Sequence, residues 1–444
     1  MTPITNPEII AGYLSDASNL RGNADILFRP KDTAEIAEIV RWCQDGGIPL
    51  TVSARRTSTT GAPVPMGGAI LSTENISTIH AVDDVDGGVL LGEYQAATER
   101  QGRMFPPDPT SRHDCSVGGA IACNASGAGT FKYGPTRNWV ESVEAVLADG
   151  SIVHADRTTP LPWKVPFWTE PNVKTAAGYF PANNLLDLLI GSEGTLGIVT
   201  RARTKLVPSP IGTLTIFTYF PARPEMLAFL SRARTMGPRC LEYFDRYSLD
   251  LIRGRVDDVP EADCALLIEI EHAEEAPVEE WFDALVEFGA LVEATLVVTD
   301  AAGRQKLHAI RHALPATTNE IIARNGVQKV GTDFAVPNNR LGEMMGLYDN
   351  VPMRTVCFGH IGNSHLHLNL LPENAVELAR AREIYGTLAR AAVDMGGTVS
   401  AEHGIGRLKR AHLAMMVPPA VLQGWRDLRA QADPKGILGR GVMT

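Results

Sequence analysis

Two segments crowded with small residues constrain this chain more than any other feature. They are 105–127, FPPDPTSRHDCSVGGAIACNASG, and 190–200, IGSEGTLGIVT. The first runs a rigid Pro-Pro-Asp-Pro stretch into Gly118 and Gly119 and then into small residues. A backbone so bare can approach a bulky ligand closely, and its amides can point at pyrophosphate oxygens. A single glycine pair more often marks a turn with no ligand. Two dense loops in one part of the chain favour a bound planar cofactor. Neither loop reads G-x-G-x-x-G at the head of a βαβ unit, and no GxxxxGK[ST] loop occurs, so a Rossmann site and a P-loop are both unsupported.

A chain of 444 residues exceeds one ordinary core and predicts two domains. Its formal charge of −10, without any Lys/Arg run, speaks against nucleic acid as a partner. Cys43, Cys115, Cys123, Cys240, Cys264 and Cys357 are scattered without a CxxC. That pattern fits free thiols in a reducing compartment, and it excludes zinc-finger chemistry. The opening MTPITNPEIIAGYL has no basic or apolar signal region, and no window is apolar over a bilayer's thickness, so a cytoplasmic protein without a transmembrane segment is expected.

Apolar residues at helical spacing across 32–48, after an Asp/Thr start and before Gly-Gly, predict an amphipathic helix, followed directly by a strand at IPLTV. From there to about residue 207, AILST, VESVEAVLADGSIVHA and TLGIVTRARTKLV read as strands or hairpins. The character changes at 208–210 (PSP). TLTIFTYF reads as a strand, PARPEMLAFLSRARTMG as a helix, CALLIEIEHA as a strand, EEWFDALVEFGA as a helix and ALVEATLVVT as a strand. That order suits an antiparallel sheet backed by helices. PPAVLQGWRDLRAQADPKGILG predicts a last helix stopped at Asp-Pro, in a segment returning toward the first domain. The expected division is 1–207, 208–410 and 411–444.

The second half carries FGHIGNSHLHLNL at 358–370. After a turn at Gly362-Asn363-Ser364, His365, His367 and Asn369 alternate with Leu366, Leu368 and Leu370, as on a strand with one polar and one apolar face. His360 can meet His367 across the turn, and Glu402-His403 adds a carboxylate and another imidazole. A lone histidine is more often satisfied within a core. Two imidazoles and a carboxylate with open positions make a common divalent-metal set, suited to zinc or manganese.

The ordered motifs PLTVSARRTSTTGAPVP (49–65), PPDPTSRHDCSVGGAIACNASG (106–127), KYGPTRNWVESVEAVLADG (132–150), IGSEGTLGIVT (190–200) and SAEHGIGRLKR (400–410) cover nearly the whole chain. Together they resemble the vanillyl-alcohol-oxidase type FAD proteins. Within these, the chain looks most like the branch of D-lactate dehydrogenases, glycolate oxidase FAD subunits and D-2-hydroxyglutarate dehydrogenases. The resemblance implies an α+β fold: a two-subdomain FAD-binding domain of the PCMH type, and a cap domain with an antiparallel sheet backed by helices. It implies cofactor contacts from Pro107, Asp108, Ser111, Ser116, Gly118, Gly119, Asn124, Gly127, Ser192, Glu193, Gly194, Gly197 and Ile198. The first loop departs from the family's Arg-Gly-Gly-Gly-Thr-like run, reading Ser53-Ala54-Arg55-Arg56-Thr57-Ser58. Arg55, Arg56, Thr57 and Ser58 are kept as cofactor candidates, the two arginines offering charge in place of close backbone approach. DPKGIL at 433–438 also matches, but Gly439-Arg440-Gly441 replaces the family's Asn-Pro-Gly. No histidine stands where related oxidases tether the flavin, which implies non-covalent FAD.

The same resemblance makes His360, His367 and Glu402 the ligands of a divalent metal, zinc or manganese. His365 stands where the family tends to have Asn. Arg311 and Lys329 fall where the family places cations for a substrate carboxylate, and His403 is the expected base. The implied reaction oxidises a small D-2-hydroxy acid: His403 removes the hydroxyl proton, and the hydrogen on Cα passes as hydride to flavin N5. Electrons would leave to a quinone, a cytochrome, an electron-transfer flavoprotein or oxygen. Other readings are a glycolate-oxidase-type subunit of a larger complex, a non-redox FAD enzyme of the alkyl-glycerone-phosphate synthase type, and a flavin-free metal hydrolase. A homodimer is compatible with the sequence.

Overall fold

In the computed structural model, which describes residues 2–253, 259–272 and 277–444, the expected helix forms at Thr33–Gly46. Asp32 opens it by accepting from the Glu35 N–H at 2.8 Å, and Gly47 closes it in the left-handed region at φ 63°. Its inner face, Ile36, Ile39, Val40 and Cys43, is buried against a parallel sheet in the order Ile26–Phe28, Ala69–Ser72, Leu50–Ser53.

The long hairpin read in VESVEAVLADGSIVHA is present as Val140–Val146 and Ile152–Asp156, turning through Asp149-Gly150. It belongs to an antiparallel sheet in the order Ile79–Ala81, Asp84–Asp86, Ile198–Thr204, Val140–Val146, Ile152–Asp156. The glycine loop at 190–197 runs straight into its strand Ile198–Thr204. Site and sheet are thus joined by one turn.

A larger antiparallel sheet follows, in the order Leu296–Val298, Gly212–Phe220, Cys264–His272, Cys240–Asp245, Thr355–Gly359, His365–Leu370, Val330–Gly331, with Phe334–Ala335 also on His365–Leu370. Alternate residues of Gly212–Phe220 enter different cores. Ile216 and Phe220 pack with Met226, Phe229 and Trp281 of the helices Arg223–Ala233 and Val278–Glu287. Phe217 and Tyr219 pack with Leu307, Ile310 and Leu314 of the helix Ala301–Asn325. Helices therefore cover both faces, and each large apolar side chain so buried contributes about 1.5–3 kcal/mol.

Two readings change. ALVEATLVVT is mostly not strand: a 3₁₀ turn at Val292–Ala294 leaves only Leu296–Val298 paired, at the sheet's edge. Ala301–Asn325, the longest helix described, is not among the expected elements. Pro315 lies inside it, and its apolar residues make no regular stripe. The strand CALLIEIEHA runs as Cys264–His272, and its expected last residue, Ala273, lies outside the described residues.

After the helix Pro419–Ala432, Asp433 accepts from the Leu438 N–H at 2.7 Å, while Leu50 donates to Ile437 and accepts from Gly439. Residues 437–439 thereby extend the edge of the parallel sheet. Among the described residues no helix is long and apolar enough to cross a membrane.

Candidate functional site

A cavity of about 580 Å³ opens between the glycine-rich loops and the large sheet, within the range of roughly 300–1,000 Å³ usual for cofactor and ligand sites. One wall comes from the first half: Arg55, Arg56, Thr57, Ser58, Ser111, Ser116, Gly118, Gly119, Glu193, Gly194, Gly197 and Ile198. The opposite wall comes from the second: Arg311, Lys329, Phe358, His367, Asn369, Glu402, His403 and Lys409.

The helix Val117–Ala122 starts at Ser116, whose Oγ accepts from Gly119 N at 3.2 Å. A Cβ on Gly118 would sit 2.9 Å from the Gly87 carbonyl oxygen, so no side chain fits there. A planar ligand thereby gains direct access to the backbone. Among the described residues the amides of Arg55, Arg56, Thr57 and Ser58 meet no protein acceptor, and Arg55 Nε is buried without a partner. Unused donors along one wall suit the oxygens of a pyrophosphate. The chemistry of this wall therefore fits FAD. The two arginines differ: Arg56 is committed to Glu74 at 3.0 Å and lies over the Tyr13 ring, whereas Arg55 keeps donors to spare.

Five cofactor candidates stand behind the wall instead of on it. Pro107 gives its carbonyl to Gln95, and Asp108 accepts from the Gly129 N–H at 3.0 Å and pairs with Arg239 at 3.1 Å. Asn124 accepts from the Arg137 N–H at 2.9 Å, and Ser192 accepts from the Thr195 hydroxyl at 2.6 Å. Gly127 has no room for a Cβ, which would lie 2.0 Å from the Asp108 carbonyl oxygen. These residues shape the loop that carries the wall. Glu193 links the halves: its buried carboxylate accepts from the Ile405 and Gly406 N–H groups, both at 2.8 Å, and burial pushes it up to about 7.

The histidine strand His365–Leu370 has the expected alternation, but both of its faces are buried, the polar one beneath the 398–409 loop. His360 Nε2 is 3.3 Å from Glu402 Oε2, and His367 Nε2 is 3.2 Å from Glu402 Oε1. The ligand atoms of His360, His365, His367 and Glu402 all lie within 4.8 Å of one another. On the far side, His360 Nδ1 meets Glu242 Oε1 at 2.5 Å and His367 Nδ1 meets the Thr332 carbonyl at 3.1 Å. Imidazoles anchored through Nδ1 present Nε2 inward, an arrangement typical of metal-ligating histidines. The donor set therefore fits a divalent cation. His365 is turned to Asp333, which it meets through Nε2 at 2.9 Å.

Four charged residues that the sequence reading missed complete the site. Asp333 is fully buried and takes Lys409 Nζ at 2.6 Å, Ser400 Oγ at 2.8 Å, the His403 N–H at 3.0 Å and His403 Nδ1 at 3.3 Å. Burial opposes its ionisation, but His403, Lys409 and the bond from His365 hold it well below the usual carboxylate range. Burial outweighs Asp333 at His403 and pushes that imidazole down to about 4, so it stands neutral near pH 7. Glu242 pairs with Arg311 Nε at 2.7 Å as well as with His360. Lys174 reaches Glu402 at 2.6 Å. Of the four, Glu242 left a trace in the sequence, as an acid between the apolar Leu241 and Tyr243 of its strand, where a buried charge demands partners. Lys174 lies in an irregular segment and left none.

The sequence signature described as "FAD binding domain" matches residues 24–156, and that of "FAD linked oxidases, C-terminal domain" matches residues 215–443. Similar proteins include the mitochondrial D-2-hydroxyglutarate dehydrogenase of Bos taurus, 30% identical over 98% of this chain and 80% of that protein. Glycolate oxidase subunit GlcD of Bacillus subtilis is 29% identical over 94% of this chain and 88% of its own length. A D-lactate dehydrogenase of Anaerostipes hadrus is 27% identical over 99% and 94%. Among solved structures an alkyldihydroxyacetonephosphate synthase shares the fold, with a TM-score of 0.71 at 15% identity over 98% of this chain and 82% of that one. With both halves of its cavity accounted for by these matches, the chain belongs to the family of FAD-linked oxidases and is an FAD-dependent oxidoreductase.

Proposed function

We propose that the protein oxidises a small D-2-hydroxy acid of the D-lactate kind to its 2-oxo acid, with non-covalently held FAD as hydride acceptor. One observation carries the reading: the bare loop wall and the Arg311, His403 and His/Glu groups line a single cavity. The names of the similar dehydrogenases support the substrate class. In this reading 1–207 hold the cofactor, 208–410 supply the substrate side and 411–444 lock back onto the first part.

When bound, FAD supplies the hydride acceptor, and a zinc or manganese ion held by His360, His367 and Glu402 supplies Lewis acidity at the substrate hydroxyl. The rest falls to side chains. Glu242 fixes Arg311 through Nε at 2.7 Å, leaving its other N–H groups for the substrate carboxylate. Lys329 adds positive charge at the cavity rim. Neutral His403 takes the hydroxyl proton at Nε2, and Asp333 behind Nδ1 orients the ring and stabilises the imidazolium formed. Loss of that proton together with hydride from Cα leaves the 2-oxo acid. The electrons then pass to an acceptor of the quinone, cytochrome or electron-transfer-flavoprotein class.

Stopped-flow mixing of His403→Ala with substrate should slow flavin reduction by about 10²–10⁴-fold while the spectrum of bound FAD persists. Reduction at the wild-type rate would remove His403 from the mechanism.

A further inference from the structure

Lys174 stands inside the His/Glu set. Its Nζ lies 2.6 Å from Glu402 Oε2 and 3.3 Å from His365 Nδ1, and its side chain is only 4% exposed. An ammonium and a divalent cation on one carboxylate in so dry a site repel each other and compete for its oxygens.

The structure provides somewhere for Lys174 to go. On its other side it lines a second cavity of about 370 Å³, together with Glu170, Asn363 and Arg137. Asn363 Oδ1 is buried there without a hydrogen-bond partner. Glu170 forms no hydrogen bond or ion pair among the described residues, and burial pushes its carboxyl up to about 7, against the pull of Arg137. One buried acceptor without a partner and one half-buried carboxyl without a protein donor thus line a cavity on which a lysine already borders. Lys174 lies in a stretch, 157–184, that is neither helix nor strand, so its position is set by contacts and not by a rigid element.

We propose that Lys174 is a resident counter-cation of the metal site: it neutralises Glu402 until a divalent cation binds, then swings into the adjoining cavity toward Asn363 and Glu170. This rests on the metal reading above. The exchange lowers the apparent affinity for the ion, because only the swung-out fraction is competent to bind. It also keeps the histidine cluster assembled in the ion-free protein.

The test strips the FAD-loaded protein with chelator and titrates Mn²⁺, following the free ion by electron paramagnetic resonance, with no turnover involved. Lys174→Met should bind Mn²⁺ at least about tenfold more tightly than the wild type, and Glu170→Gln about threefold more weakly. Equal or weaker binding by Lys174→Met, beside a wild type that binds, overturns the role of Lys174 and leaves the metal site standing. Absence of binding in both overturns the metal reading and this inference with it. If Lys174→Met fails to fold, a crystal structure of the wild type with Mn²⁺ decides. Lys174 Nζ bonded to Asn363 or Glu170 supports the exchange, and Lys174 still on Glu402 beside the ion refutes it.

Discussion

At the residue scale the site turns on buried charges that hold one another in place. Asp333 is the hub, since Lys409, Ser400 and His403 of the 398–409 loop and His365 of the histidine strand all converge on it. Asp333→Asn leaves the Lys409 ammonium uncompensated, and a loss of about 3–5 kcal/mol in unfolding free energy is expected. Denaturant melts of the FAD-loaded protein would measure it, and flavin reduction should slow because His403 loses its orienting partner. Glu193 gives a pH prediction of definite sign. Its folded-state pKa is raised from 4.5 to about 7, so the native state holds the extra proton between those values. Its stabilising contribution is full below about pH 4.5 and fades as pH rises through 7. The Tm of the wild type minus that of Glu193→Gln should therefore fall between pH 5 and pH 7 and level off above. A flat difference would contradict the assignment.

At the element scale the glycine loops divide into positions that serve packing and positions that serve a ligand. Gly127→Ala forces a methyl group to within 2.0 Å of the Asp108 carbonyl oxygen, and should lower unfolding free energy by about 1–3 kcal/mol or more. Gly119→Ala meets only Ser116 Oγ at 3.2 Å and Ala54 at 3.5 Å beside the cavity. It should leave the apoprotein's Tm nearly unchanged while weakening FAD retention, as read by flavin fluorescence after gel filtration. Both glycines look alike in the sequence, because the carbonyl that crowds Gly127 comes from a loop nineteen residues earlier. The elements most legible beforehand are those with local instructions. The Asp32 cap and Gly47 stop bound one helix, and the Asp149-Gly150 turn makes one hairpin. Least legible are Leu296–Val298, an exposed edge strand without clear alternation, and Ala301–Asn325, whose helical run contains Pro315.

At the scale of the whole molecule, the site exists only because two halves close over one cavity. His360, His367, Glu402 and His403 could be singled out from spacing and resemblance. Their supports could not, because Glu242, Asp333 and Lys174 come from a strand, a sheet edge and a loop far apart in the chain. Arg239 joins the halves in the same way, reaching Asp108 on one side at 3.1 Å and Glu269 and Glu271 on the other at 3.2 and 3.3 Å. Arg239→Met would remove the cation these three carboxylates share, and a loss of about 3–5 kcal/mol in a denaturant melt is expected. The central claim is that the imidazole and carboxylate groups of the second half act on a substrate beside a flavin held by the first. Its most direct measurement is anaerobic bleaching of the bound flavin by paired D- and L-2-hydroxy acids, with and without chelator. Rapid bleaching by D-acids alone, slowed by chelator, is the predicted result. A flavin that stays oxidised with every acid in the panel would contradict it.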